Sequence, residues 1–169
     1  RAAGYAHSLL QAGMNLDSIS VNVSVVQLVQ KNAVDRLMDT IRKNDLSPHH
    51  ILLEVTESTI ISNYKLIAEK IQQMSDAGVQ FALDDFGTGY SSLNHLRRVQ
   101  VDGLKIDRSF IVDLLEDAGD LALTSATMAM AHSLGIVVVA EGVEQRGQYD
   151  LLRERQGDYV QGFWLSEPL

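Results

Sequence analysis

The sequence predicts an α/β protein built on a parallel sheet covered by helices. Three observations carry this. Strand-like and helical stretches alternate six times along 169 residues, with short connections and no linker. Some strands, such as Ile136-Val-Val-Val-Ala140, are apolar throughout, as strands buried on both faces must be. Several helical stretches close on a glycine, at Gly13, Gly78 and Gly135. Six βα units fit an open doubly wound sheet or most of an eight-stranded barrel, and the pattern does not choose between them.

The elements follow in order. Arg1–Ala12 reads as a helix, with Ala3, Ala6, Leu9 and Leu10 on one face. Ser18–Val25 is the first strand. A helix over about 33–43 places Val34, Leu37, Met38 and Ile41 at helical spacing. Strand Ile51–Thr56 follows, then a helix over about 63–77 and strand Val79–Leu83, which leads into Asp84 and Asp85. A short helix near 91–98 precedes strand Gly103–Asp107. A longer helix over 120–134, strand Ile136–Ala140, a helix near 145–155 and a last strand over 158–164 complete the chain. The strand-helix unit is its one internal repeat.

Length and composition suit one soluble domain able to bury a sizeable core, with 46% hydrophobic and 21% charged residues and 2 prolines. The net charge of -8 argues against a DNA or RNA polymer as partner, since such binding needs clustered Lys and Arg. An anionic phosphate ligand still fits if cations sit between. There are 0 cysteines, hence no disulfide framework and no thiolate metal site, which suits a reducing cytoplasm. No apolar stretch approaches the roughly 20 residues of a membrane span.

In both candidate folds, function sits at the C-terminal ends of the strands. Found there are Asn22 and Ser24, Glu54 and Thr56, Asp84 and Asp85, Lys105 and Asp107, Glu141, and Gln161. Side-chain alternation puts Glu54 with Thr56, Asn22 with Ser24, and Lys105 with Asp107 on shared faces. Several carboxylates converging on one lysine cannot neutralise one another, and hard cations bound through oxygen are the natural remedy. Each piece has a structural alternative. A strand-end Glu can cap a helix or pair at the surface, Asp84-Asp85 can cap the next helix, and Lys105 can be a counter-ion to Asp107 or Asp85. Their joint occurrence points to a site. The five histidines form no metal-ligand pair and read as structural or solvated. Arg97, Arg98 and Arg108 read as exposed, and Phe163-Trp164 as core, with base stacking as the alternative.

These residues match a family. The chain resembles the EAL domain, the bacterial phosphodiesterase that opens c-di-GMP, through Val21-Asn-Val-Ser24, Leu53-Glu-Val-Thr-Glu-Ser58, Asp84-Asp-Phe-Gly-Thr-Gly-Tyr-Ser-Ser92, Leu104-Lys-Ile-Asp-Arg-Ser-Phe110, Val139-Ala-Glu-Gly-Val-Glu144 and Asp158-Tyr-Val-Gln-Gly162. The resemblance runs over essentially all of 1–169 and implies a modified (β/α)8 barrel. It implies a two-metal site for Mg²⁺ or Mn²⁺, in which Asn22, Glu54 and Asp84 ligate one ion and Asp84 bridges to a second held by Asp85 and Glu141. Lys105 would position and help activate water, and Gln161 would hold water or substrate. Glu57 would tie down the loop over 86–92, which couples the site to dimer contacts. The implied partners are c-di-GMP, a second copy of the chain, and upstream GGDEF, PAS or other sensor domains. The implied location is the cytoplasm, or the cytoplasmic part of a membrane-anchored protein.

Two departures accompany the match. The family's Glu-Ala-Leu strand, with its metal-binding Glu and nearby substrate-binding Arg, does not occur. The chain is therefore expected to be an N-terminally truncated EAL domain lacking its first two strands, and inactive or nearly so by itself. Glu167 stands before Pro168, where the family often carries a basic residue. The leading expectation is metal-dependent hydrolysis of c-di-GMP to linear pGpG by the parent protein. A non-catalytic c-di-GMP receptor or protein-interaction module is the alternative, although such receptors usually lose ligands that are intact here. A Schiff-base aldolase using Lys105 ranks last, because the surrounding carboxylates stabilise the charged amine.

Overall fold

The computed structural model describes residues 1–57, 59, 63–87 and 99–167. Its elements are α1 (Ala2–Gln11), β1 (Ile19–Asn22), α2 (Val25–Leu28), α3 (Ala33–Lys43), a 3-10 turn (Pro48–His50), β2 (Ile51–Thr56), α4 (Tyr64–Asp76), β3 (Gln80–Phe86), β4 (Gly103–Ile106), α5 (Ser109–Val112), α6 (Ala118–Ser133), β5 (Val137–Glu141), α7 (Arg146–Glu154) and β6 (Tyr159–Gln161). The sheet has 6 strands in chain order, and the pairs β1·β2, β4·β5 and β5·β6 are parallel. Sequential order is that of a β/α barrel. A doubly wound sheet reverses order at its switch point, and this one does not. No helix among the described residues is long and apolar enough to cross a membrane.

The described chain forms two compact units, 1–82 with 99–101, and 83–87 with 102–167. In the first, α3 turns its Val34, Leu37, Met38 and Ile41 face inward, as its spacing predicts. Ile67, Ile71 and Met74 of α4 and Leu53 and Val55 of β2 are buried. In the second, Thr124, Met128 and Ala131 of α6 are buried at helical spacing, together with Leu104 and Ile106 of β4 and Val138 and Ala140 of β5.

Four sequence expectations need correction. The first strand stops at Asn22, because Ser24 caps α2: its Oγ accepts from Gln27 N (3.4 Å) while Gln27 Oε1 accepts from Ser24 N (3.0 Å). β3 continues past Leu83 through both aspartates to the buried Phe86, so the carboxylates lie within the strand. β5 is not buried on both faces, since Val137 is 39% exposed and Val138 1%. Phe163 and Trp164 are not core: they are 60% and 43% exposed. There the backbone packs instead of the rings, with Trp164 N donating to Val143 O (3.0 Å). The helix expected near 91–98 lies outside the described residues, as does the loop beyond Gly87.

Candidate metal centre and active site

In the second unit, Asp84, Asp85, Lys105 and Glu141 come together from the ends of β3, β4 and β5. Lys105 Nζ lies 2.7 Å from Glu141 Oε1 and 3.3 Å from Asp84 Oδ1. Its stem runs up a fully buried strand, and the residue is 5% exposed. Asp84 is buried as well. Lys105 is paired in register with Val139, two residues before Glu141, so the long side chain must climb one strand repeat to reach the carboxylate. One ligand atom from each of Asp84, Asp85 and Glu141 can be chosen so that all lie within 4.8 Å of one another. Among the described residues, three carboxylates gather around one ammonium, and an all-oxygen donor set suits Mg²⁺ or Mn²⁺. The residues present therefore fit a divalent cation.

Backbone geometry sharpens the cluster. Asp85 adopts φ +55°, a left-handed conformation that Asp tolerates better than most residues, and its N–H donates to Asp84 Oδ1 (3.1 Å). Burial pushes the Asp85 carboxyl above its ordinary value. The charges of Asp84 and Asp107 add to this, and Lys105 opposes them. Gly87 follows the strand at φ +99°, a backbone conformation strained for any other residue, and a Cβ there would stand 2.9 Å from the Phe110 ring.

Asp107 follows β4 directly, close enough for its charge to act on Asp85, and accepts from Ser109 N (2.9 Å) and from the Ser109 hydroxyl. The hydroxyl, foremost, holds its carboxyl below the ordinary range, with burial working the other way. Gln161 ends β6 in register with Glu141 and is exposed. Asn22, at the end of β1, and Glu54, two residues before the end of β2, lie in the first unit and are paired in register, with Glu54 buried and Asn22 exposed. Glu57 stands just past β2 in helical conformation, not on the strand. Its expected partner loop is outside the described residues. Among described histidines, His132 Nε2 pairs with Asp158 Oδ2 (2.8 Å), His49 with Ser47 Oγ (2.7 Å) and His50 with the Asp17 carbonyl (3.2 Å); none joins the acidic cluster. Arg108 is exposed and pairs with Glu144 (2.7 Å).

The family model described as EAL domain matches residues 3–168. The chain is 40% identical over 152 residues to the bifunctional diguanylate cyclase/cyclic di-GMP phosphodiesterase MucR of Pseudomonas aeruginosa, covering 90% of this chain and 22% of MucR. It is 38% identical over 169 residues to the cyclic di-GMP phosphodiesterase NbdA of the same organism, covering 100% of this chain and 22% of NbdA. The chain thus spans about a fifth of the length of these relatives. Among solved structures, the MucR phosphodiesterase in complex with c-di-GMP superposes with a TM-score of 0.94 at 38% identity, over 99% of this chain and 68% of that one. Klebsiella pneumoniae BlrP1, with manganese and c-di-GMP at pH 9.0, superposes with a TM-score of 0.89 at 30% identity, over 98% of this chain and 43% of that one. Motifs, strand order and these likenesses agree: the chain belongs to the EAL domain family.

Proposed function

We propose that this chain is part of the catalytic domain of a cyclic di-GMP phosphodiesterase, whose parent protein opens c-di-GMP to linear pGpG with divalent cations. The observation that carries the reading is the Lys105 ammonium held against Glu141 and Asp84 beside a carboxylate cluster sized for a cation. The names of MucR and NbdA and the nucleotide-bound neighbours support the substrate.

The reaction adds water across one phosphodiester. The water oxygen bonds to phosphorus, the P–O3′ bond breaks, and a proton ends on the 3′ oxygen, leaving a 5′-phosphate. Divalent cations held at the cluster would neutralise the phosphate charge and activate the water. Asp84, Asp85 and Glu141 are assigned as ligands, joined on the motif match by Asn22 and Glu54. Lys105 holds the water through its N–H groups, and its contacts with Asp84 and Glu141 fix the amine in place. Gln161 is assigned to substrate or water, and Glu57 to the loop after the aspartates. The domain is proposed to act as a homodimer in the cytoplasm, downstream of GGDEF, PAS or other sensor domains.

The test uses the native protein that carries this chain, with c-di-GMP and Mg²⁺ or Mn²⁺. Appearance of pGpG is expected, abolished by EDTA and reduced roughly a hundredfold or more by Lys105→Ala or Glu141→Gln. Binding of c-di-GMP without turnover would move the protein to the receptor class.

A further inference from the structure

Gln148 is a buried polar side chain with no part in the reading above. It is 2% exposed and lies on α7 one turn before the buried Leu152, so the two share the inward face. A primary amide has two N–H donors and two acceptor positions. Here the backbone fills all of them. Nε2 donates to Ile111 O (2.8 Å) and Val112 O (3.2 Å), and Oε1 accepts from Glu144 N and Gln145 N (2.9 Å each). Ile111 and Val112 end α5, which follows Lys105 and β4, while Glu144 and Gln145 close the loop that follows Glu141 and β5. One buried amide therefore joins the segments that leave the two strands carrying the Lys105–Glu141 pair.

Neighbouring contacts hold the same loop. Gly142, at φ +72°, has no room for a Cβ, because the Arg108 side-chain stem occupies that space. Arg108 also reaches Glu144 at 2.7 Å, but both are substantially exposed, so this tie is screened by solvent. On the other side, Val143 N donates to Gln161 O (3.1 Å). The loop after Glu141 is thus fastened to β6 through Val143 and to α5 through Gln148.

We propose that Gln148 is a positioning residue, which holds Glu141 at the distance from Lys105 and the aspartates that a divalent cation requires. The proposal rests on the assignment of Glu141 as a cation ligand. Gln148→Glu keeps acceptors for Glu144 N and Gln145 N but turns an oxygen toward the Ile111 and Val112 carbonyls, cutting one side of the tie. Gln148→Met cuts both sides at similar volume.

The experiment measures Mn²⁺ affinity by titration and c-di-GMP kinetics in the native protein, with Leu152→Ala as a core-truncation control in the same helix. Both Gln148 variants are expected to weaken Mn²⁺ binding and lower kcat by about tenfold or more, the scale for outer-shell partners of metal ligands, with KM nearly unchanged. Leu152→Ala should lower Tm at least as far while Mn²⁺ affinity and kcat stay near wild type. Wild-type Mn²⁺ affinity in the Gln148 variants would overturn the proposal, as would a loss in Leu152→Ala that tracks its Tm. Failure of both Gln148 variants to fold would also overturn it, in favour of a purely structural role. A wild type that binds Mn²⁺ but turns over no c-di-GMP overturns the phosphodiesterase reading and leaves Gln148 to be decided on Mn²⁺ affinity. A wild type that binds no Mn²⁺ overturns both.

Discussion

Asp85 combines a left-handed backbone with a carboxyl that resists ionisation. A carboxyl raised in the folded state contributes fully to stability below its unfolded value, and that contribution is lost as pH rises through the folded value. Metal-free protein should therefore carry a destabilising charge at neutral pH. Asp85→Asn removes that charge and keeps a residue type suited to positive φ. With EDTA present, thermal unfolding should show Asp85→Asn raising Tm by on the order of 1 °C at pH 7, with no gain at a pH where the wild-type carboxyl is already protonated. With Mn²⁺ the substitution should become harmful. Asp107 has the opposite sign: its contribution is present above the unfolded value and lost as pH falls through the lowered folded one. Asp84, Asp85, Lys105 and Glu141 were legible in the sequence because each interrupts or ends an apolar run. Gln148 was not, because one amide inside a helix gives no periodic signal and its burial follows only from tertiary packing. Asp107 lies one residue past β4, where Ser109 N donates to its carboxylate, and its charge still acts on Asp85.

Elements with sharp end signals match their sequence patterns. β2 spans 51–56 as its sequence indicates, and α4 lies between Asn63 and Ala77, its two flanking residues. The misses are short. α2 and α5 have 4 residues each, too few for helical periodicity, and only the Ser24 capping box and the Asp107–Ser109 hydrogen bonds announce them. The sequence pattern ends β3 at Leu83, because carboxylates are rare in strands, while the buried Phe86 restores the alternation beyond them. α6 begins earlier than its apolar face suggests, because Asp117 accepts from Gly119 N (2.6 Å) and Asp120 N (3.2 Å) and so opens the helix. Asp117→Ala should cost about 1 kcal/mol, and thermal unfolding should fall by roughly 2–4 °C. An unchanged Tm would show that water replaces the cap without loss.

The whole chain carries a net charge of -8 and is assigned an anionic ligand. Without divalent cations, the protein should repel c-di-GMP, and more strongly at low ionic strength, where screening is weak. Equilibrium binding in EDTA should therefore tighten as KCl rises, while micromolar to millimolar Mn²⁺ should strengthen binding far beyond any equal ionic strength of KCl. Tighter binding in EDTA at low salt would point to a cationic subsite that the acidic composition conceals. Fold class was legible at this scale from the alternation of elements, but barrel-type order was not, because apolar pattern does not state which strand neighbours which. The observed order has its own bearing on how the chain assembles. Each strand's partner is the one synthesised just before it, so every new strand meets an edge already waiting, and loop closures stay short. Within the second unit, Lys105 comes before Glu141 in the chain, so β4 can meet the aspartates before β5 is in place. The set of carboxylates that suits a cation is completed only when β5 has been added to β3 and β4.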